Sequence, residues 1–105
     1  MRRGDPPAGT TAAIRTAARD LMQTARELGA QIGRPGVATS NVLASRIADR
    51  ARSQAGQWPT REGRRRFLAE FAGDVRHEPR EDGSPYGRFL EQVAGMIEEG
   101  TAGGA

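Results

Sequence analysis

Ile14-Arg15-Thr16-Ala17-Ala18-Arg19-Asp20-Leu21-Met22-Gln23-Thr24-Ala25-Arg26-Glu27-Leu28-Gly29-Ala30-Gln31-Ile32, residues 14–32, decides the fold class of this chain. Ile14, Ala18, Leu21, Ala25, Leu28 and Ile32 recur at alternating spacings of four and three, which winds one continuous apolar stripe along a helix. Thr10 or Thr11 offers an N-cap hydroxyl. Gly33-Arg34-Pro35-Gly36 predicts the stop, because glycine accepts positive φ and proline cannot continue the hydrogen-bond ladder.

The same reading extends outward. Thr39 or Ser40 caps a second helix running to about Ala55, with Leu43, Ile47 and Ala51 inward and the small Ala44 and Ala48 beside them. After the break at Gly56-Gln57-Trp58-Pro59, Thr60 caps a third helix whose inward face is Phe67, Leu68, Phe71 and Val75. His77 to Gly83 is a charged loop. Ser84 then suits an N-cap and Pro85 the first helical position of a fourth helix, which buries Tyr86, Phe89, Leu90, Val93 and Ile97 and closes at Gly100. Period-two alternation is missing throughout, so no strand is expected. The fold class is therefore all-α, a small bundle of about four helices with flexible N- and C-terminal tails. Residues 1–9 read as a flexible arm, 10–99 as a single helical domain and 100–105 as a flexible tail.

Charge is sorted along the chain. Residues 34–66 carry eight Arg against two acids, a block of +6, while residues 67–105 carry three Arg against eight acids, a block of −5. Residues 1–33 add +2, and the net charge is +3. Such asymmetry bears on partners, since summed charge steers association with polyanions or with an oppositely charged surface. That all sixteen basic residues are Arg carries less. With Lys absent, Asn and Tyr single and Ala and Gly abundant, it is the mark of a GC-rich, bacterial genome. The positions of the arginines are the evidence. Cysteine is absent, which leaves no disulfide or thiolate metal site. Met1 to Pro7 has charge but no apolar segment after it, and no apolar run is long enough to span a bilayer, so a cytoplasmic protein without membrane contact is expected.

On helical wheels, Arg15, Arg19 and Arg26 project from one flank of the first helix. Arg46 and Arg50 edge the second, and Arg61, Arg65 and Arg76 share a flank of the third with Ala69 and Ala72 between them. Rows at this spacing can neutralise successive phosphates without reading bases. The competing reading is a solvated face trimmed with local ion pairs, for which Arg66–Glu70 has the right spacing. Trp58 stands just before Arg61, Arg64, Arg65 and Arg66. Its indole can stack on an unpaired base or plug the end of the core, and so small a core can hardly spare its largest apolar side chain. Arg64 is nearly in line with the inward face of its helix, its stem over the core edge and its head in water.

Glu70, Asp74, His77 and Glu78 share one side and the end of the third helix. With a single His in the chain they are a thin basis for a metal or acid–base site, so no catalytic residue, metal or cofactor is expected. Glu27 to Gly33, followed by Ser40 to Ile47, has the flavour of a helix-turn-helix pair with an overlong turn.

These features lead to a non-catalytic small helical subunit of a nucleoprotein complex, binding RNA or single-stranded DNA without regard to sequence. Arg15, Arg19, Arg26, Arg46, Arg50, Arg61, Arg64, Arg65 and Trp58 are its candidate contacts. In size, helicity and arginine rows the chain resembles in outline the small subunits of multi-protein CRISPR effector complexes, short helical bundles lying along the RNA–DNA track. The resemblance is one of architecture and matches no motif. It implies other protein subunits as partners, and the basic and acidic blocks allow head-to-tail self-association. The alternatives are a protein–protein interaction module, such as an adaptor, inhibitor or immunity-type partner, and a helix-turn-helix-like regulator of DNA.

Overall fold

The structure, a computed structural model, describes residues 11–103, with side chains from 11 to 99. The arm at residues 1–9 lies outside the described residues. The described residues form four helices: α1 (Thr11–Gly29), α2 (Ser40–Ala55), α3 (Arg61–His77) and α4 (Pro85–Gly103). Among the described residues there is no strand, as the missing two-residue period requires.

Side-chain caps set three of the helix starts. Thr39 Oγ1 accepts from the Val42 amide at the head of α2. Thr60 Oγ1 accepts from Gly63 N at 3.0 Å, and Ser84 Oγ accepts from Gly87 N at 3.0 Å. Each hydroxyl satisfies an amide that has no partner within its helix.

Two ends differ from the sequence reading. α1 stops at Gly29, four residues before the predicted break, and the chain tightens into turns in which Gln31 N donates to Leu28 O and Ile32 N to Gly29 O. Ile32 therefore packs half-buried from a turn and not from the α1 stripe. Gly33 and Gly36 then adopt φ of 92° and 81°, which only glycine takes without strain, and they turn the chain toward α2. At the other end α4 passes through Gly100 and continues to Gly103. Glycine weakens a helix but keeps its amide donor, so Gly100 does not break the ladder. Of the predicted tail, residues 100–103 are helical and 104–105 lie outside the described residues.

One apolar cluster draws on all four helices. Phe67, Phe71, Phe89, Leu21, Met22, Leu43, Ile47 and Leu90 fill it, and Ala18, Ala25, Ala44, Ala48 and Ala51 let backbones approach closely. No polar or charged residue is buried among the described residues. Met22, absent from the predicted stripe, is fully buried beside Leu21, which widens the apolar face of α1.

α1 packs chiefly on α3, α3 on α4 and α4 on α2, while α2 also touches α3 across the core and makes its slightest contact with α1. The helices thus form a ring in the order α1, α3, α4, α2, which sets the α1/α2 seam opposite the α3/α4 seam. Thr11 meets Arg66, Arg15 meets Glu70 and Arg26 meets Glu78, so α1 and α3 run parallel. A helix-turn-helix pair needs two helices packed on one another across a short turn. Here residues 30–39 separate α1 from α2, and α1 lies mainly on α3.

Gly29, at the end of α1, is buried under an aromatic ring. A Cβ built there lies 2.6 Å from Tyr86 Cδ1 and 3.2 Å from Phe89 Cε2, whereas one at Gly95 on α4 meets nothing within 4 Å. Gly29→Ala should lower stability by about 1–3 kcal/mol through overpacking. Gly95→Ala should raise it by about 0.5–1 kcal/mol through helix propensity. Urea unfolding of the two variants beside the parent chain checks both signs.

Candidate binding surfaces

The parallel pairing of α1 with α3 decides what becomes of the first arginine row. Arg15 lies 3.7 Å from Glu70, and Arg26 donates through Nε and a terminal nitrogen to both oxygens of Glu78 at 3.0 Å. Arg19 acts electrostatically on Asp74. Spacings of four and seven residues on α1, and of four along α3 and its C-cap, bring this row of cations against the acids Glu70, Asp74 and Glu78. The row predicted to face phosphates therefore faces the chain's own carboxylates. Arg66, expected to pair with Glu70, instead donates to Thr11 Oγ1, because Glu70 has turned toward α1.

The same acids were the candidates for a metal or acid–base site. His77 Nδ1 is 2.7 Å from Gly73 O, within its own helix. Among the described residues no group of three His, Asp or Glu side chains is placed to hold a metal ion. Burial, and then Glu70, push the Asp74 carboxyl above its ordinary range against the pull of Arg19 and Arg26.

Glu78 also accepts from the Tyr86 hydroxyl at 2.9 Å, so one carboxylate ties together the end of α1, the end of α3 and the start of α4. The Arg26 hydrogen bonds, helped by Tyr86, hold Glu78 below the usual carboxylate range in spite of burial. Burial first, and then Glu78, push the Tyr86 phenol up to about 12. Arg80 completes the junction. Its guanidinium donates to Val75 O, to Arg76 O at 3.0 Å and to Glu78 O at 3.0 Å, supplying donors to the last carbonyls of α3.

Trp58 is half-buried, its ring centroid 6.1 Å from that of Phe67, and it plugs the end of the core. Its Nε1–H is buried without an acceptor among the described residues, so the indole edge is not offered to a base. Arg64 folds back on this loop and donates to Trp58 O at 3.0 Å, tying its head to the backbone.

Of the predicted contacts, Arg46, Arg50, Arg61 and Arg65 remain exposed with no side-chain hydrogen bond or ion pair among the described residues. They fall into two pairs. Arg46 lines a cleft of about 610 Å³ on the α1/α2 seam with Leu28, Gln31, Val37 and Leu43, and Arg50 follows one turn along α2. Arg34, in the connector that walls this cleft, is also exposed and unpaired among the described residues, and the helical wheels passed over it because it lies on no helix. Arg65 rims a groove of about 390 Å³ on the α3/α4 seam, with Arg61 one turn before it. Arg76, expected on the same flank, is bound through two nitrogens to Glu98 across that groove. No known protein family matches the chain, and no curated protein or solved structure is significantly similar to it.

Because Glu78 ionises more readily in the folded chain, its contribution is present above pH 4.5 and is lost as pH falls below that value. The raised Tyr86 pKa works at the alkaline end, where the folded state's advantage holds below pH 10 and is lost as pH climbs toward 12. Tyr86 is the only tyrosine, so ultraviolet titration should show the phenol ionising near 12 in the parent chain. Glu78→Gln should bring that midpoint back toward 10 and flatten the loss of stability below pH 4.5.

Proposed function

We propose that this chain is a non-catalytic helical subunit of a cytoplasmic nucleoprotein assembly, holding the phosphate backbone of RNA or single-stranded DNA on its α1/α2 seam. Arg34, Arg46 and Arg50 are the phosphate contacts. The observation that supports the reading is how the charge is disposed of. Acids of α3 and its C-cap answer Arg15, Arg19 and Arg26, and Glu98 answers Arg76, while Arg46 lines the α1/α2 cleft, Arg50 follows one turn along α2 and Arg34 lies in the connector, none with an acid bonded to it among the described residues. Positive charge left uncompensated on one side attracts a polyanion over several ångströms and binds it without base readout.

The short spacing of Arg46 and Arg50 along one helix suits successive phosphates of a single strand, with Arg34 extending the track into the connector. No helix among the described residues is long and apolar enough to cross a membrane, and the reading needs none.

Fluorescence anisotropy of a labelled single-stranded RNA, with duplex DNA in parallel, tests it. Three phosphate contacts give a slope of about 2 in log affinity against log salt for a single strand. Arg46→Glu with Arg50→Glu should weaken binding at least about tenfold while helical content is kept. Affinity unchanged by the double variant, or independent of salt, rules the reading out.

A further inference from the structure

We propose that the α3/α4 seam is a docking groove for an acidic amphipathic helix of another protein. The inference goes beyond the phosphate reading and does not depend on it, since it uses the opposite side of the bundle.

The groove is open, about 390 Å³ in volume, and walled mainly by carbon: Leu68, Ala69, Ala72 and Gly73 of α3 and Ile97 of α4. Leu68 is only half-buried although it was expected inside. A Cβ built on Gly73 meets nothing within 4 Å, so no side chain of the described residues fills the space above it. Small side chains on the α3 wall allow a second helix to approach at the short interaxial distances, about 8 Å, that such contacts permit. The groove is thus shaped for an apolar helix face.

Charge selects what that helix carries. Arg65 stands on the α3 rim and Arg61 one turn before it, both with no bonded acid among the described residues, at the N-terminal end of α3 where the helix dipole is also positive. At the far end Arg76 is already committed to Glu98. The complement is a helix with carboxylates flanking its apolar stripe on the side nearest Arg61 and Arg65.

Other occupants fit less well. A phosphate backbone laid here would set charge against Leu68 and Ile97, whereas nucleic-acid interfaces are polar. A second copy has little to insert. Val42 is the only large hydrophobic exposed among the described residues, and the outer face of α4 offers Glu91, Gly95 and Glu99.

The test is a backbone-amide NMR titration of the full ¹⁵N-labelled chain with a synthetic helical peptide bearing leucines at i, i+4 and i+7 flanked by glutamates. A matched peptide with lysines in place of the glutamates serves as comparison. The expected result is shifts confined to residues 61–76 and 97–98, with the lysine peptide bound far more weakly. Arg65→Glu, and separately Ala69→Glu at an exposed wall position, should each weaken the acidic peptide about tenfold. Arg46→Glu with Arg50→Glu should leave it unchanged, which separates this groove from the phosphate seam. The proposal is overturned by silence with the acidic peptide, by equal binding of the lysine peptide, by shifts elsewhere, or by single-stranded RNA displacing the peptide from these residues. Shifts that appear with protein concentration alone would assign the groove to a second copy and also overturn it.

Discussion

Arg26, Glu78 and Tyr86 meet at the one place where the ends of α1 and α3 come against the start of α4. The Tyr86 ring can reach Glu78 only by lying across Gly29, where any larger residue would hold the two helices apart. Once that ring is seated, its hydroxyl and the Arg26 fork share a single carboxylate, and the axial position of α1 against α3 is set. The junction is partly buried, with the Glu78 side chain 11% exposed, so its charge-assisted hydrogen bonds count for more than an ordinary surface pair.

That register governs the rest of the surface. Arg15 falls beside Glu70, and Arg19 lies within the field of Asp74. A row of arginines and a row of acids, far apart in the chain, therefore cancel along the α1/α3 seam. The cations left over include Arg46 and Arg50 of α2, Arg34 of its connector, Arg61 and Arg65 in the first turns of α3 and Arg88 of α4. Such a molecule has two different faces to offer, one chiefly cationic and one an apolar groove with a cationic rim.

The core explains how so short a chain holds these faces apart. Three phenylalanines are fully buried, and alanines occupy much of the remaining contact surface. Small residues bring the backbones close, so a large apolar area is buried with few long side chains. Trp58 closes one end against Phe67, and the backbone carbonyl it exposes is taken by Arg64. Arg64, a candidate contact, and Arg66, expected to pair with Glu70, both bond within the fold.

The sequence by itself determined the helices and most of their limits, because caps and periodicity are local. Thr39, Thr60 and Ser84 act within three residues of themselves, and the stripes of α1 and α2 repeat along a single helix. Block charge needs no geometry either, and the sequence's basic block, residues 34–66, holds Arg34, Arg46, Arg50, Arg61 and Arg65, which have no side-chain partner among the described residues. What it did not determine was which arginines are free. Arg15 meets an acid 55 residues away and Arg26 one 52 residues away, and a helical wheel carries no information about a partner on another helix. Nor did it show that Gly29, at the end of α1, lies beneath a ring from α4. Only the tertiary structure decided these points, because ion pairing and close approach depend on how helices are set against one another in space.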